Sequence, residues 1–185
     1  MNHDSCLPSS WVRRWCGVIE VRGRVLDLAC GSGRHTHFLL DCGFSVVAVD
    51  LEISSLNNSL TSRADVVVRQ ADLENEPWPF ENDCFDAVIV TNYLHRPLFA
   101  HLIASLKPGG VLIYETFASG NGQFGRPNNP NFLLQPGELL AVVEGSTRVV
   151  AYEDVYVENP KPALVQRICA VRHGGRPRHF PVPVN

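Results

Sequence analysis

Short, almost continuous apolar runs alternate with amphipathic stretches along the chain up to residue 117. The apolar runs are typical of buried parallel strands, and the amphipathic stretches are typical of helices. We expect strands at 24–28, 44–50, 65–69, 84–92 and 109–117, and helices at 9–20, 34–41, 53–60 and 97–106. Strands and helices that alternate at this spacing predict an α/β protein with a doubly wound sheet.

The pattern changes after residue 117. Residues 118–131 are dense in glycine, asparagine and proline, and a loop of this length in a compact domain is usually functional or mobile. We expect it to act as a lid over a binding site. A short helix at 136–144 and two strands at 148–158 and 163–172 follow. The sequence therefore predicts seven strands, five parallel and two in a C-terminal antiparallel hairpin.

Composition narrows the functional classes. The 185 residues are 45% hydrophobic, enough for one well-buried core, and the net charge of −3 gives no field that favours a nucleic-acid partner. The apolar runs are too short for a membrane helix, and the N-terminus has no signal pattern, so we expect a cytoplasmic protein. Six cysteines lack metal-ligand spacing, and four of them are expected to be small buried side chains: Cys30, Cys42, Cys84 and Cys169.

A glycine-containing turn follows the first strand in the segment VLDLACGSGRHT, residues 25–36. Such a turn between a strand and a helix is a general nucleotide-binding feature, although it is also found as an ordinary connection. The P-loop pattern is absent. Thr36 stands where the dinucleotide fingerprint requires a third small residue. What remains is an acid, Asp27, followed by the small residues Ala29, Gly31 and Gly33 at alternate positions.

This motif and the closing hairpin resemble the class I S-adenosylmethionine-dependent methyltransferases over roughly residues 20–172. The resemblance implies the class I fold and S-adenosylmethionine as cofactor. It also implies that Asp27, Ala29, Gly31 and Gly33 contribute to the cofactor site. Because this cofactor has no phosphate, the glycines need only let the backbone approach its methionine and ribose parts. The acid would suit the ammonium and sulfonium charges.

The resemblance implies six further cofactor-binding residues at the ends of the second, third and fourth strands: Asp50, Leu51, Asp72, Leu73, Thr91 and Asn92. Asp50 is expected to accept hydrogen bonds from the ribose hydroxyls, with an N-cap of the next helix as its alternative role. Asp72 is expected near the adenine amino group, with a turn-forming aspartate as the alternative.

The acceptor is expected beyond the end of the fourth strand. There the resemblance implies Tyr93 and His95 as catalytic residues, and the loop after the fifth strand offers Phe124 and Arg126 for substrate binding. A histidine with a pKa near ~6.5 could take a proton at neutral pH, but His95 could equally cap the helix that follows. Tyr93 is expected to shape the pocket.

Within class I, the C-terminal part resembles small single-domain enzymes of the tellurite-resistance type. The match consists of Phe132, Gly137, Glu138 and Leu139, and the ending 165–172. It implies a methyltransferase that acts on a small molecule or a metalloid oxyanion. Two alternatives stay open: a regulator that binds S-adenosylmethionine, and a methyltransferase of protein or RNA.

We expect a helical cap over residues 1–22, the methyltransferase domain over 23–173 and a flexible basic tail over 174–185. His35 and His37 form an HxH pair on the first helix after the turn. Residues two apart on a helix do not face one another, so no metal site is expected there.

Overall fold

The computed structural model describes residues 7–60, 63–80 and 85–176, apart from the side chains of 57–59. Cys6, Cys84 and the last nine residues of the predicted tail lie outside these ranges. The strands are β1 (Arg24–Leu28), β2 (Ser45–Asp50), β3 (Val66–Gln70), β4 (Phe85–Thr91), β5 (Leu106–Phe117), β6 (Thr147–Val157) and β7 (Ala163–Arg172). The α-helices are α1 (Ser10–Trp15), α2 (Arg34–Asp41), α3 (Ser54–Leu60), α4 (Phe99–Ser105) and α5 (Glu138–Val143).

The strands form one seven-stranded sheet in the order β3-β2-β1-β4-β5-β7-β6. Neighbouring strands from β3 to β5 are parallel, whereas β7 is antiparallel to both β5 and β6. This arrangement confirms the predicted fold. The chain moves outward from β1 to β3 and then returns to place β4 beside β1, so the strand order reverses between β1 and β4. In open α/β sheets, ligands bind at such a reversal, outside the carboxyl ends of the strands.

Alternate strand residues supply two apolar layers, one on each face of the sheet. One layer joins Leu26, Val88 and Leu112 of the sheet to α4 and α5. The other joins Val25 and Ile89 to α1, α2 and α3. Because both faces are covered, the central strands are mostly apolar, as their sequences predict; Asp27 in β1 is a buried exception.

The first helix belongs to this second layer. Ser9 caps α1, because its hydroxyl oxygen accepts hydrogen bonds from the backbone N–H of Trp11 at 3.0 Å and of Val12 at 3.5 Å. The Trp11 indole donates to the Ile168 carbonyl at 3.2 Å, and Trp15 packs edge to face on Trp11. The N-terminal segment is thereby fixed against the sheet, close to the carboxyl ends of the central strands.

Cysteine placement corrects one expectation. Cys30 and Cys169 are buried, but Cys42 is exposed because it caps the C-terminus of α2 just before the turn at Gly43. The four cysteines within the described ranges carry free thiols. In those same ranges, no group of histidine, cysteine and acidic side chains could hold a metal ion. None of the helices described is long and apolar enough to span a membrane.

Candidate functional site

The glycine turn after β1 has a backbone that favours residues without a large side chain. Ala29 has a φ of +51° and Gly31 a φ of +56°, both in the left-handed region that L-residues adopt at a cost. A Cβ added to Gly31 would meet no protein atom within 4 Å. The turn therefore leaves an open approach to its backbone, and strain at Ala29 is of the kind that concentrates at ligand sites.

Asp50 fixes this turn to the end of β2. One carboxylate oxygen accepts a hydrogen bond from the Gly31 N–H at 2.8 Å, and the other accepts from the Glu52 N–H at 3.2 Å. Each oxygen keeps a second lone pair for a ligand hydroxyl. Helix α3 begins only at Ser54, whose N–H is bound by Glu52. Asp50 is therefore not the cap of α3.

Asp27 and Gly33 lie next to the turn but not on a cavity wall. Asp27 is 2% exposed and accepts a hydrogen bond from the Thr36 hydroxyl at 2.5 Å. Burial raises the pKa of this carboxyl to about 7. A Cβ on Gly33 would come within 2.9 Å of Leu56, so Gly33 permits close packing of α3. The structure gives both residues a role inside the fold, because alternation along β1 points Asp27 toward α2.

Two adjoining cavities, of about 590 and 340 Å³, open over the carboxyl ends of β1, β2 and β4. Ala29 and Tyr93 belong to the walls of both, so the two cavities lie side by side, and we call them together the cleft at the reversal of strand order. The larger cavity is lined by Ala29, Cys30, Gly31, Ser32, Arg34, His35, Thr91, Asn92, Tyr93, Pro160 and Lys161. The smaller is lined by Ala29, Asp50, Leu51, Ala71, Asp72, Leu73, Glu74, Asn75 and Tyr93.

The smaller cavity combines carboxylates with apolar side chains. Leu51 is 60% exposed at its mouth, whereas Leu73 is buried in its wall. Asp72 forms a turn by accepting hydrogen bonds from the backbone of Glu74 and Asn75 and from the Asn75 side chain, and these bonds hold its pKa below the usual value. The turn-forming role considered for Asp72 is therefore present in the structure, alongside its place on the cavity wall.

Tyr93 stands where the two cavities meet. Its hydroxyl is buried and makes no hydrogen bond within the described part of the chain. Glu74 is close enough to act on it electrostatically, yet no hydrogen bond of good geometry joins the two side chains. Burial first, and then the nearby carboxylates, raise the pKa of Tyr93 well above its ordinary value. This hydroxyl stays protonated at neutral pH.

His95, the other predicted catalytic residue, does not line any of the described cavities. Its side chain makes no capping hydrogen bond to the 3₁₀ turn at Arg96–Leu98, so the capping alternative is not realised. His95 contributes to lowering the pKa of Asp72, after the hydrogen bonds from Asn75 and Glu74. The catalytic role of His95 stays a prediction.

His35 lines the larger cavity, although it was not among the site residues predicted from the sequence. It is 2% exposed and lies between the N-terminal segment and the end of β4. The Ser9 N–H donates to Nε2 at 3.0 Å, and Nδ1 lies 3.3 Å from the Thr91 hydroxyl oxygen. Burial lowers the pKa of His35 to about 3, with a smaller effect from Arg34. One signal in the sequence was its spacing of four from Leu39, which places both on the buried face of α2.

A third, small chamber of about 90 Å³ adjoins the larger cavity, and the two share Arg34, Asn92, Pro160 and Lys161. Ser9, Glu115 and Arg167 also line it. These residues come from α1, β5 and the β6–β7 hairpin, which are far apart in the sequence. The chamber therefore exists only because the C-terminal hairpin folds back beside the first helix.

The charges behind this chamber balance. Arg167 binds Glu115 at 3.2 Å and Glu153 with its Nε at 2.7 Å, and Arg14 reaches Glu153 at 3.4 Å. Two arginines thus offset two glutamates. The Ser9 hydroxyl donates a further hydrogen bond to Glu115 at 2.7 Å.

Two cations remain at the neck between the larger cavity and the chamber. Among the described residues, Arg34 donates only to the Leu7 carbonyl, at 3.3 Å, and the Lys161 ammonium lies 5.7 Å from the ring centre of Phe117. Neither forms an ion pair with a described residue. This part of the cleft is therefore positively charged.

The loop after β5 does not bring Phe124 and Arg126 to the cavity walls. Phe124 packs on Tyr156 with ring centres 5.2 Å apart, and both rings are partly exposed. Arg126 is exposed. The role of these two residues in substrate binding stays a prediction that their positions do not support.

This loop is held by a network of hydrogen bonds. Arg96 binds Glu138 at 2.7 Å and donates to the carbonyls of Asn131 and Leu133 at 2.8 and 3.0 Å. Asn121 is 1% exposed and bridges Pro127 to Leu164. These contacts join the loop to the turn before α4, to α5 and to β7, and its action as a lid stays a prediction.

Comparison with known proteins gives this geometry a context. Residues 25–110 match the family described as "Methyltransferase domain". A demethylmenaquinone methyltransferase of Paenarthrobacter aurescens is 28% identical over 165 residues, which cover 83% of this chain and 62% of that protein. A tRNA U34 carboxymethyltransferase of Methylococcus capsulatus is 34% identical over 126 residues, covering 63% of this chain and 39% of that protein.

Among solved structures, TehB from Haemophilus influenzae superimposes with a TM-score of 0.73 and 18% identity, covering 89% of this chain and 62% of that one. At this identity the likeness shows a shared fold. The chain spans about half the length of the curated relatives it matches.

Proposed function

The chain has the class I S-adenosylmethionine-dependent methyltransferase fold with a methyltransferase domain over residues 25–110, and on this premise we propose that it methylates a small acceptor. The observation that carries the proposal is the cleft formed by two adjoining cavities over β1, β2 and β4. Its walls include both the glycine turn and the carboxylate of Asp50. Activity would then depend on how the residues of the cleft hold the cofactor beside the acceptor.

The residues present fit this cofactor. Asp50 has lone pairs that remain after it binds Gly31 and Glu52, and these would hold the two ribose hydroxyls. Leu51 and Leu73 would cover the adenine, while the open backbone at Gly31 would admit the methionyl part. The predicted cofactor residues Asp50, Leu51 and Leu73 therefore keep their roles in the proposal, whereas Asp27 and Gly33 support the turn from behind.

When bound, the cofactor supplies an electrophilic methyl group on a sulfonium. The protein's contribution is alignment, and well-oriented reactants can gain about 7–11 kcal/mol over free encounter. Neither His35 nor Tyr93 suits the role of a general base at neutral pH, because the pKa of the first is near 3 and that of the second is raised. Unless His95 takes the proton, we therefore expect an acceptor whose nucleophilic atom is already deprotonated at neutral pH.

The volume of the chamber and the charges at its neck restrict the class of acceptor further. The chamber beyond the larger cavity is small, about 90 Å³. Arg34 and Lys161 at its neck favour an acceptor with negative charge. Thiolates, carboxylates and inorganic oxyanions meet these conditions better than a nucleic acid or a folded protein.

The test measures S-adenosylhomocysteine release after incubation with S-adenosylmethionine and a panel of thiols, amines, carboxylates and oxyanions. We expect turnover with a small anionic acceptor, and Lys161→Met should lower kcat/KM for it while cofactor affinity is kept. Lys107→Met is the matched control, because Lys107 pairs with Asp86 at 2.9 Å, outside the cleft. Cofactor binding with no turnover for any acceptor would favour a regulator. Turnover only with protein or RNA would contradict the small acceptor.

A further inference from the structure

The buried imidazole of His35 connects the N-terminal segment to the end of β4. Its two ring nitrogens contact Ser9 and Thr91, at 3.0 and 3.3 Å. Both His35 and Thr91 line the larger cavity. A buried side chain that uses both nitrogens and faces a cavity is held in one orientation, so its protonation pattern can be deduced from its neighbours.

The contact with Ser9 determines which nitrogen carries the proton. A backbone N–H can only donate, so Nε2 of His35 must accept and has no hydrogen. A neutral imidazole has one N–H, which therefore lies on Nδ1. Nδ1 then donates to the Thr91 oxygen. A doubly protonated ring would place two hydrogens opposite each other at Ser9, which excludes it.

The same logic fixes the direction of the Thr91 hydroxyl. Its oxygen accepts from His35 and forms no other hydrogen bond with a described residue. Its own hydrogen therefore points away from the imidazole and is available to a ligand in the cavity. Without the Ser9 contact, the imidazole could take the other tautomer and accept a hydrogen bond from the Thr91 hydroxyl. That hydroxyl would then have no hydrogen left to donate to a ligand.

We propose that His35 is a positioning residue that presets the Thr91 hydroxyl as a hydrogen-bond donor to the carboxylate of the cofactor's methionyl part. The inference rests on the proposed function, since it assumes that this cofactor binds in the cleft. The nucleoside would occupy the cavity of Asp50, so the methionyl part extends past Ala29 into the cavity of Thr91. Arg34, a cation on the wall of that cavity, favours a carboxylate there.

The first test compares two ligands that differ in the amino-acid chain that carries this carboxylate. S-adenosylhomocysteine has the complete amino-acid chain, whereas 5′-methylthioadenosine keeps the nucleoside and the thioether but lacks the carboxylate. We expect Thr91→Val to weaken S-adenosylhomocysteine binding about tenfold, as for a lost hydrogen bond to a charged group. Binding of 5′-methylthioadenosine should change less than about twofold on the same reasoning. Thr91→Ser, which keeps the hydroxyl, should restore affinity.

A double-mutant cycle then asks whether His35 acts through Thr91. His35→Phe should weaken S-adenosylhomocysteine binding in the wild-type background and add little in the Thr91→Val background, because both changes remove the same donor. His37→Phe on the same helix is the matched control. Additive losses, or equal losses for the two ligands, would overturn the proposal.

Nitrogen NMR of the ¹⁵N-histidine-labelled wild-type protein reports the tautomer of His35 directly. The measurement needs neither a ligand nor a substitution that would disturb folding. We expect one histidine with a protonated Nδ1 and an unprotonated Nε2 that does not titrate between about pH 5 and 8. A protonated Nε2 on His35 would contradict the inference. If the wild-type protein binds neither ligand but shows this tautomer, the proposed function fails while the hydrogen-bond geometry stands.

Discussion

The two ends of the cleft are built in different ways. The end proposed for the nucleoside is formed by residues at or directly after the ends of β1, β2 and β3, and its polar groups are carboxylates such as Asp50 and Asp72. The end proposed for the acceptor gathers Ser9, the cap of the first helix, with Arg34 of α2 and Lys161 of the last hairpin. Its two cations form no ion pair with a described residue. A parallel sheet brings strand ends together by itself, whereas the acceptor end requires the packing of elements distant in the sequence.

The largest expected effect is at the nucleoside end. Asp50→Ala should weaken S-adenosylmethionine binding by about 1.5–3 kcal/mol, the range for hydrogen bonds to a charged group. Isothermal titration calorimetry measures the change. Asp154→Ala is the control, since Asp154 is an exposed carboxylate on β6. Equal affinity of the Asp50 variant and the wild type would remove Asp50 from the site.

The buried side chains of Asp27 and His35 should make contributions to stability that depend on pH in opposite directions. Burial raises the pKa of Asp27 to about 7, so its contribution to stability is complete below pH 3.8 and is lost as pH rises toward 7. Burial lowers the pKa of His35 to about 3, so its contribution is complete above pH 6.5 and is lost as pH falls toward 3. Thr36, Arg34 and Asp50 act on Asp27 as well, with smaller effects.

Between about pH 4 and 6.5, each group should change the free energy of unfolding by about 1.4 kcal/mol per pH unit. Because the two changes have opposite signs, they should nearly cancel in the wild type. Relative to the wild type, Asp27→Asn should gain free energy of unfolding as pH rises, and His35→Phe should gain it as pH falls. Urea denaturation at several pH values checks both. Parallel pH dependence in all three proteins would show that neither group is shifted in the folded state.

The glycine turn allows a matched comparison of equal substitutions. Gly31 and Gly43 both have positive φ, and an added Cβ meets no protein atom at either position. Each change to alanine should cost about 1 kcal/mol of stability, the penalty of a left-handed L-residue. Only Gly31→Ala should also reduce cofactor affinity, because only Gly31 lines the cavity. Calorimetry and thermal unfolding separate the two effects, and equal affinities in both variants would place the cofactor away from the turn.

The smallest effect is expected at Ala29. Ala29→Gly relieves the strain of a φ of +51° in the folded state. It also gives the unfolded chain more conformational entropy, which destabilises the folded state by a similar amount, about 0.4–1 kcal/mol. We expect the free energy of unfolding to change by less than about 0.5 kcal/mol, measured by urea denaturation. A loss above about 1 kcal/mol would indicate that the Ala29 methyl group contributes packing in the cleft.

Sequence patterns were informative where local rules decide the structure. Apolar runs and the turn at Asp27–Gly33 predicted the parallel strands and one end of the cleft, because parallel strands end at the same edge. They did not distinguish a side chain that faces the cleft from one that faces a helix, so Asp27 was expected to contact the ligand. His35, Ser9 and Lys161 were missed at the acceptor end, since no local pattern indicates which distant residues the fold brings together.

The most direct test of the account is a crystal structure of the protein with S-adenosylhomocysteine. The account predicts ribose hydroxyls within hydrogen-bond distance of the Asp50 carboxylate, the thioether sulfur near Tyr93 and the amino-acid carboxylate on Thr91. A ligand bound outside the cleft, or one in the reverse orientation with its adenine beside Thr91, would contradict it.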